Sequence, residues 1–271
     1  MNNRIVRFGL AAAAVAAIAL IGIILLTRSD FGAQTGAQTG AQLTPSPTLT
    51  PPPPSATVSL DVSDDGQVRN GLLDPGTYTY GDVDGQGFNV QFTVPAGWTW
   101  NGRYLSKGGV GLPDGAAVFF FGGPVQAYAD PCHWAAAQST PPAGFSSYDI
   151  VAALVAQPTR SATTPINAPR GPWTGTAVEL TMPDNINLAE CDQSQFRSWG
   201  PKPNARVHQG PGQRDLVWAV DVPGAGVTNK GPVPPPAGGL IIDAASFQGT
   251  PADVMSEIEA ILGSIYVGHW G

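Results

Sequence analysis

The stretch GFNVQFTV, residues 87–94, alternates apolar and polar side chains and places Phe88, Val90, Phe92 and Val94 on one face. A period of two is typical of a β-strand that is buried on one side. The sequence predicts a central strand at AAVFFF (116–121), further strands at TAVELTM (176–182), DLVWAVDV (215–222) and GLIIDAASF (239–247), and weaker edge strands at TYTY (77–80) and SIYVG (264–268).

Two segments have helical character instead. SSYDIVAALVAQ (146–157) begins with a serine cap and continues with an apolar face. TPADVMSEIEAIL (250–262) has Thr250 as its predicted cap, Pro251 at its first position and Asp253 to complete a capping pair. The order of strands, helix, strands, helix and a last strand predicts the α+β class. We expect a mostly antiparallel β-sheet sandwich covered by a few helices.

The composition agrees with a fold of short elements. The chain has 271 residues with 34 Gly and 27 Pro, which favour turns over long helices. Of its 13 Lys and Arg residues, Arg4, Arg7 and Arg28 precede Ser29, and the remaining ten face 20 acidic residues. Such a surface repels phosphate groups, so we expect no DNA or RNA partner.

An uncharged run occupies residues 8–27, FGLAAAAVAAIALIGIILLT. A helix of this length rises ~30 Å, the thickness of the hydrocarbon core of a bilayer. The run is longer than the apolar part of most cleaved signal peptides, which remain the alternative. It predicts a single-pass transmembrane signal-anchor in the cell membrane. Arg4 and Arg7 favour residues 1–7 as a short cytoplasmic tail, with the C-terminal part outside the cytoplasm.

A spacer is predicted at residues 28–57. GAQTGAQTGAQ (32–42) is typical of flexible chain, and LTPSPTLTPPPPSAT (43–57) is typical of stiffer polyproline II. Neither composition can build a core. We therefore expect residues 58–271 to form one extracytoplasmic α+β domain held away from the membrane.

The chain has two cysteines, Cys132 and Cys191. Zinc sites need three or four ligands at short, repeated spacings, and no CxxC or HxxxH is present. A catalytic cysteine would need a basic partner, for which His208 is the candidate. Two cysteines downstream of a membrane-crossing segment favour a disulfide in an oxidising compartment over both alternatives.

A candidate ligand-binding cluster follows from that disulfide. The bridge would draw CHW (132–134) and CDQSQFRSW (191–199) together, and with them Trp134, Arg197 and Trp199. His208 and Gln209 lie at the base of a predicted hairpin turn at residues 210–212. These five side chains are interpreted either as a pocket or as a packed cation–π stack.

Other acidic positions suggest no metal or catalytic centre. GDVDGQG (81–87) contains Asp82 and Asp84 but lacks the further ligands of a calcium loop, so an acidic turn is favoured. Glu257 and Glu259 are expected on the solvent face of the last helix. GxSxG, Walker A and GxGxxG motifs are missing from the junctions of strand and helix. We therefore predict no catalytic residue, metal or cofactor.

A resemblance to a known family is carried by six segments in order: DPCHW, the helix near 148–157, TAVELTMP, C…FRSW, HQGPGQ…LVWAVDV and LIIDAASFQGTPAD. They resemble a family of uncharacterised extracytoplasmic domains tethered by one membrane helix in high-GC bacteria, over residues 72–267. FNVQFTVPAGWTW, followed by a helix, more strands and a terminal helix and strand, is similar to PsbP-like α-β-α sandwich proteins. Both resemblances imply binding or scaffolding rather than catalysis.

The leading functional hypothesis is therefore a membrane-anchored, non-enzymatic binding or sensor domain. Its ligand would be an envelope component, a small molecule or a partner protein. Two alternatives stay open at this point: a secreted hydrolase of unknown substrate that uses His208, and a purely structural envelope protein.

Overall fold

The computed structural model describes residues 57–60, 70–109, 114–123, 125–136, 146–200, 205–222, 227–228, 231–232 and 239–269, which belong to one compact unit. The predicted tail (1–7) and transmembrane segment (8–27) lie outside the described residues, as does the spacer (28–57) apart from its last residue. Within the described ranges, no helix is both long and apolar enough to cross a bilayer.

The strands in the first half of the chain are β1 (Val58–Ser59), β2 (Asn70–Leu72), β3 (Gly76–Tyr80), β4 (Phe88–Val94), β5 (Thr99–Asn101), β6 (Tyr104–Lys107), β7 (Ala116–Gly122) and β8 (Gln126–Ala127). Helix α1 (Ser147–Val155) follows. The later strands are β9 (Ser161–Ala162), β10 (Ile166–Asn167), β11 (Gly175–Thr181), β12 (Phe196–Arg197), β13 (Trp199–Gly200), β14 (Val207–His208), β15 (Arg214–Asp221), β16 (Val227–Thr228), β17 (Gly231–Pro232) and β18 (Gly239–Ser246). Helix α2 (Ala252–Ser264) and β19 (Tyr266–His269) complete the described fold.

Two sheets dominate the domain. The larger has nine strands in the order β10-β11-β15-β18-β7-β6-β5-β2, with β9 also paired to β11. The smaller has the order β1-β3-β4-β19. The described pairings are antiparallel except that of β1 with β3. The predicted α+β class with mostly antiparallel sheets is therefore confirmed, and the run 116–121 is a central strand as expected.

The two faces of the nine-stranded sheet bury separate cores. Along β18, Leu240 and Ile242 belong to a core shared with the four-stranded sheet and α2, whereas Ile241 belongs to a core shared with α1. Successive side chains of a strand point to opposite faces, so α1 and α2 lie on opposite sides of this sheet. The near-continuous apolar sequence of 239–247 follows from burial on both faces.

Helix α1 begins where the sequence predicts. Ser146 is its N-cap, and its Oγ accepts from the backbone N of Asp149 while the Asp149 side chain accepts from the backbone N of Ser146. This reciprocal pair is the capping box, which satisfies two donors that the helix itself leaves unpaired.

The start of α2 differs from the prediction. Pro251, which has no polar side chain, occupies the N-cap, and the helix begins at Ala252. Thr250 bonds elsewhere: its Oγ1 donates to Gly115 O at 2.8 Å and accepts from Phe247 N at 2.9 Å. The predicted cap was wrong because Thr250 closes the turn after β18 and ties it to the start of β7.

Two predicted strand contexts are also corrected. TYTY was expected at an edge, but β3 lies between β1 and β4. The segment 206–220 was expected to form a hairpin, but β14 pairs with β12 whereas β15 pairs with β11 and β18. The turn at 210–212 therefore carries the chain from one sheet to another, and this placement brings the residues of β14 over the nine-stranded sheet.

Candidate functional site

The predicted disulfide joins Cys132 and Cys191, whose Cα atoms lie 4.5 Å apart. Both cysteines of the chain are used, and both are buried with Met182 and Phe196 in a small separate core. The bridge removes the possibility of a thiol nucleophile or thiolate ligand in this form of the protein.

Trp134 and Arg197 form a packed stack. The guanidinium carbon lies 3.6 Å from the centroid of the Trp134 ring, and each residue is 6% exposed. Trp134 Nε1 donates to the carbonyl oxygens of Asp192 and Gln195, both at 3.1 Å, while Gln195 Oε1 accepts from two nitrogens of Arg197. This geometry favours the cation–π interpretation of the pair over a pocket.

The other three predicted side chains lie apart from that stack. Trp199 is fully buried in the core under α1, with its ring 5.5 Å from that of Phe121. His208 is buried beside β15, whereas Gln209 is exposed. The five residues therefore do not line one common site.

His208 forms the middle of a hydrogen-bonded chain with Ser198 and Asp215. Its Nδ1 lies 2.9 Å from Asp215 Oδ2, and its Nε2 contacts the Ser198 hydroxyl. Because a carboxylate only accepts, Nδ1–H donates to Asp215 and Nε2 accepts from Ser198. Serine, histidine and aspartate in this order activate the nucleophile of many hydrolases. Ser198 is 0% exposed, so a substrate does not reach its hydroxyl in this arrangement.

Arg206 joins two buried carboxylates. Its Nη2 donates to Asp215 Oδ1 at 2.7 Å, and its Nε donates to Asp243 Oδ2. Its guanidinium carbon also lies 4.2 Å from the ring centroid of Phe119 on β7. Each of the three ionisable residues is at most 2% exposed. Their burial is tolerable because the planar guanidinium pairs with both acids at once.

Amide side chains extend this network to α1. Gln213 Nε2 donates to Asp215 Oδ1 at 2.7 Å. On the other side, Gln157 Nε2 donates to Ser198 O and Arg160 Nη1 donates to Ser198 Oγ, both at 2.6 Å. We call the following residues the polar cluster: Gln157, Arg160, Ser198, Arg206, His208, Gln213, Asp215 and Asp243. It connects the end of α1, the β12–β14 segment and the nine-stranded sheet.

Burial sets the titration of the polar cluster. It lowers the pKa of His208 to about 4 and that of Arg160 to about 10, and it raises the pKa of Asp243, beside Asp215, to about 7. Burial alone would raise the pKa of Asp215, but His208 and Arg206 hold it well below its usual range. At neutral pH His208 is therefore an uncharged acceptor and Asp215 is a carboxylate.

One acceptor of the polar cluster is unsatisfied. Asp243 Oδ1 is buried and has no hydrogen-bond partner in the described part of the chain. An unpaired oxygen favours the protonated form of this carboxyl, in the same direction as its raised pKa. Elsewhere in the polar cluster, a cavity of about 10 Å³ touches Arg206 and Gln213 together with Gln209, and it has room for about one water molecule.

A larger cleft of about 440 Å³ opens beside the disulfide. Ligand pockets typically measure about 300–1,000 Å³. The floor and walls combine apolar surface with carboxylates and amides: Asp130, Cys132, His133, Thr159, Pro183, Asn185, Ile186, Asn187 and Glu190. Thr159 has φ of 75°, which a β-branched residue rarely adopts. Strained backbone of this kind clusters at binding sites.

The predicted acidic turn has structural partners. Asp82 Oδ1 accepts from Gly87 N at 2.8 Å. Asp84 pairs with Arg103 at 2.7 Å and accepts from Gly122 N at 2.8 Å. Among the described residues, no group of three or more His, Cys, Asp or Glu side chains is arranged to hold a metal ion.

Glu257 departs from its predicted place on the solvent face. Its side chain is 25% exposed and lies 2.6 Å from Lys107 Nζ. It also accepts from Nε1 of Trp98, whose ring is fully buried in the core under α2. Glu259 is exposed, as expected. The carboxylate of Glu257 therefore satisfies a buried indole at the edge of the core.

Sequence reasoning identified His208 but missed its partners Asp215 and Ser198, and also Asp243, which pairs with Arg206. One signal was available: Asp243 is the single charged residue in the apolar run GLIIDAASF. A charge in a strand buried on both faces needs a buried counter-charge. The resemblances to known families stay expectations, since neither a scan against protein-family models nor a search of curated proteins finds a match for this chain.

Proposed function

We propose that this chain is a membrane-anchored extracytoplasmic domain that binds a ligand without transforming it. The observation that carries the proposal is the cleft of about 440 Å³ beside the disulfide. A disulfide that closes a 59-residue separation is typical of proteins in oxidising compartments. The predicted anchor and spacer, residues 8–57, would hold this cleft away from the membrane surface.

The chemistry of the cleft defines the ligand in general terms. Asp130 and Glu190 supply carboxylates, Asn185 and Asn187 supply amides, and Ile186 supplies apolar surface. Such a lining suits a small molecule or an exposed segment of an envelope component that carries hydrogen-bond donors and a short apolar part.

A thermal-shift screen of the full chain in detergent tests binding. Sugars, amines, peptides and cell-wall fragments are added one at a time. A true ligand raises the unfolding midpoint, and Asn185→Trp, which fills the cleft, should remove that rise. Asn167→Trp on the exposed strand β10 is the matched control, and it should leave the rise unchanged. Equal effects of the two variants would contradict binding in the cleft.

A second candidate function is hydrolysis, and one observation favours it. Ser198, His208 and Asp215 are hydrogen-bonded in the order used by serine hydrolases. The complete burial of Ser198 opposes it in the closed arrangement. Turnover of simple ester substrates that is lost in His208→Ala would support this candidate. Turnover that His208→Ala retains would remove it.

A further inference from the structure

The turn at residues 157–160 is the cover over Ser198. Arg160 Nη1 donates to Ser198 Oγ at 2.6 Å, and Gln157 Nε2 donates to Ser198 O at 2.6 Å. Arg160 also donates to Gln157 Oε1, so the two side chains hold each other in place. Between them, Thr159 lines the large cleft. This short turn therefore separates Ser198 from the large cleft.

The groups beneath this cover are oriented for nucleophilic attack. His208 is uncharged, its Nδ1–H donates to Asp215 Oδ2 at 2.9 Å, and its Nε2 accepts from Ser198. A neutral imidazole with this tautomer can remove the proton of a serine hydroxyl as the serine attacks. Arg160 is a donor beside the same oxygen. In this closed arrangement Ser198 is 0% exposed, so a substrate does not reach its hydroxyl.

The turn at residues 157–160, which covers Ser198, has a locally unfavourable backbone and side-chain arrangement. Thr159 has φ of 75°, in a region that β-branched side chains avoid. The Arg160 side chain is buried enough to lower its pKa, and its Nε is buried without a hydrogen-bond partner among the described residues. A strained residue next to a buried, incompletely satisfied cation lowers the free energy of opening this turn relative to its neighbours.

We propose that Ser198 is a latent nucleophile that Arg160 closes off from substrate. When the turn at residues 157–160 moves outward, Ser198 faces the cleft. This inference rests on the second candidate function and does not require that a ligand binds in the cleft. The reaction class is acyl transfer. Ser198 Oγ bonds to the carbonyl carbon of an ester, and its proton passes to His208 Nε2. The alcohol leaves with that proton, and water then adds to the acyl carbon and releases the acid, which restores the serine hydroxyl.

A fluorophosphonate probe tests the proposal without a known substrate. Ser198 Oγ bonds to phosphorus, the P–F bond breaks, fluoride leaves, and the serine proton passes to His208. The full chain in detergent is incubated with the probe at pH 7.5, and intact mass and peptide mapping locate the adduct. Arg160→Met keeps the volume of the cover but removes its donors. Loss of a charge-assisted hydrogen bond should speed labelling of Ser198 about 10- to 100-fold over the wild type.

Three further variants decide the outcome. Adding Ser198→Ala to Arg160→Met should abolish the adduct, and Arg170→Met, which alters another partly buried arginine, should label at the wild-type rate. Thr159→Asn places a residue that tolerates positive φ in the exposed turn, so it should slow labelling severalfold. An Arg160→Met protein with wild-type circular dichroism that never labels at Ser198 overturns the proposal. So does a labelling rate that Thr159→Asn leaves unchanged.

Discussion

Replacing Asp215 by Asn removes the charge that contacts three partners of the polar cluster at once. Arg206 Nη2 and Gln213 Nε2 each lie 2.7 Å from Oδ1, and His208 Nδ1 lies 2.9 Å from Oδ2. The residue is 1% exposed, so bulk water does not solvate the charges that the lost carboxylate leaves behind. Breaking a buried pair on one side costs about 3–5 kcal/mol. We expect the free energy of unfolding at pH 7 to fall by that amount.

Urea-induced unfolding of the full chain in detergent measures this change. Tryptophan fluorescence and far-ultraviolet circular dichroism should give coincident transitions, which justifies a two-state analysis. Glu259→Gln is the control, because Glu259 is exposed on α2 and its replacement should change stability by less than about 0.5 kcal/mol. A loss below about 1 kcal/mol for Asp215→Asn would refute the view that the buried carboxylate of Asp215 is held by charge-assisted hydrogen bonds that nothing else replaces.

Three further predictions follow from other contacts. Replacing Cys132 and Cys191 together by Ala should lower stability by roughly 4 kcal/mol, from the loop-closure entropy of a 59-residue separation, as measured by urea unfolding. Glu257→Ala should cost about 1–3 kcal/mol because Trp98 Nε1 loses its acceptor, whereas Glu257→Gln keeps an acceptor and should cost less than about 1 kcal/mol; equal losses in thermal melts would contradict this role. Burial lowers the pKa of His208 to about 4, so its contribution is fully present above pH 6.5 and is lost as pH falls through 4; the stability of the wild type relative to His208→Gln should drop by roughly 3 kcal/mol across that window, in urea titrations at each pH.

The strands were predictable because alternate side chains of each half-buried strand are apolar, which produces a period of two in the sequence. Phe88, Val90 and Phe92 alternate along β4, and each is fully buried where the four-stranded sheet meets the nine-stranded sheet and α2. The disulfide was predictable because the chain has two cysteines, so each has one possible intramolecular partner. The cap of α2 was not, because Thr250 fits the sequence pattern of a cap but bonds across the domain to Gly115.

The candidate sites were less predictable because they depend on contacts between distant segments. Trp134 and Arg197 meet across the disulfide, as the sequence suggested. Ser198 and Asp215 reach His208 only because β14 leaves β15 and pairs with β12. Ser198 follows an arginine in FRSW, and this short sequence matches no local motif that indicates a nucleophile. The cleft is formed by separate loops, and no periodic pattern in the sequence predicts that these loops come together.

The placement of the polar cluster suggests why the domain retains buried charges at all. Replacing a buried ion network by apolar residues is often neutral or stabilising, so stability alone does not explain its presence. Arg206 and Asp243 fix the β12–β14 segment over the nine-stranded sheet, and Arg160 fixes the end of α1 to the same point. Apolar packing would allow small shifts between these elements, whereas directional hydrogen bonds define one closed arrangement. The same turn that supplies Arg160 places Thr159 in the cleft. The position of Thr159 in the cleft therefore depends on the hydrogen bonds of Arg160, and the proposed opening of this turn should change the shape of the cleft together with access to Ser198.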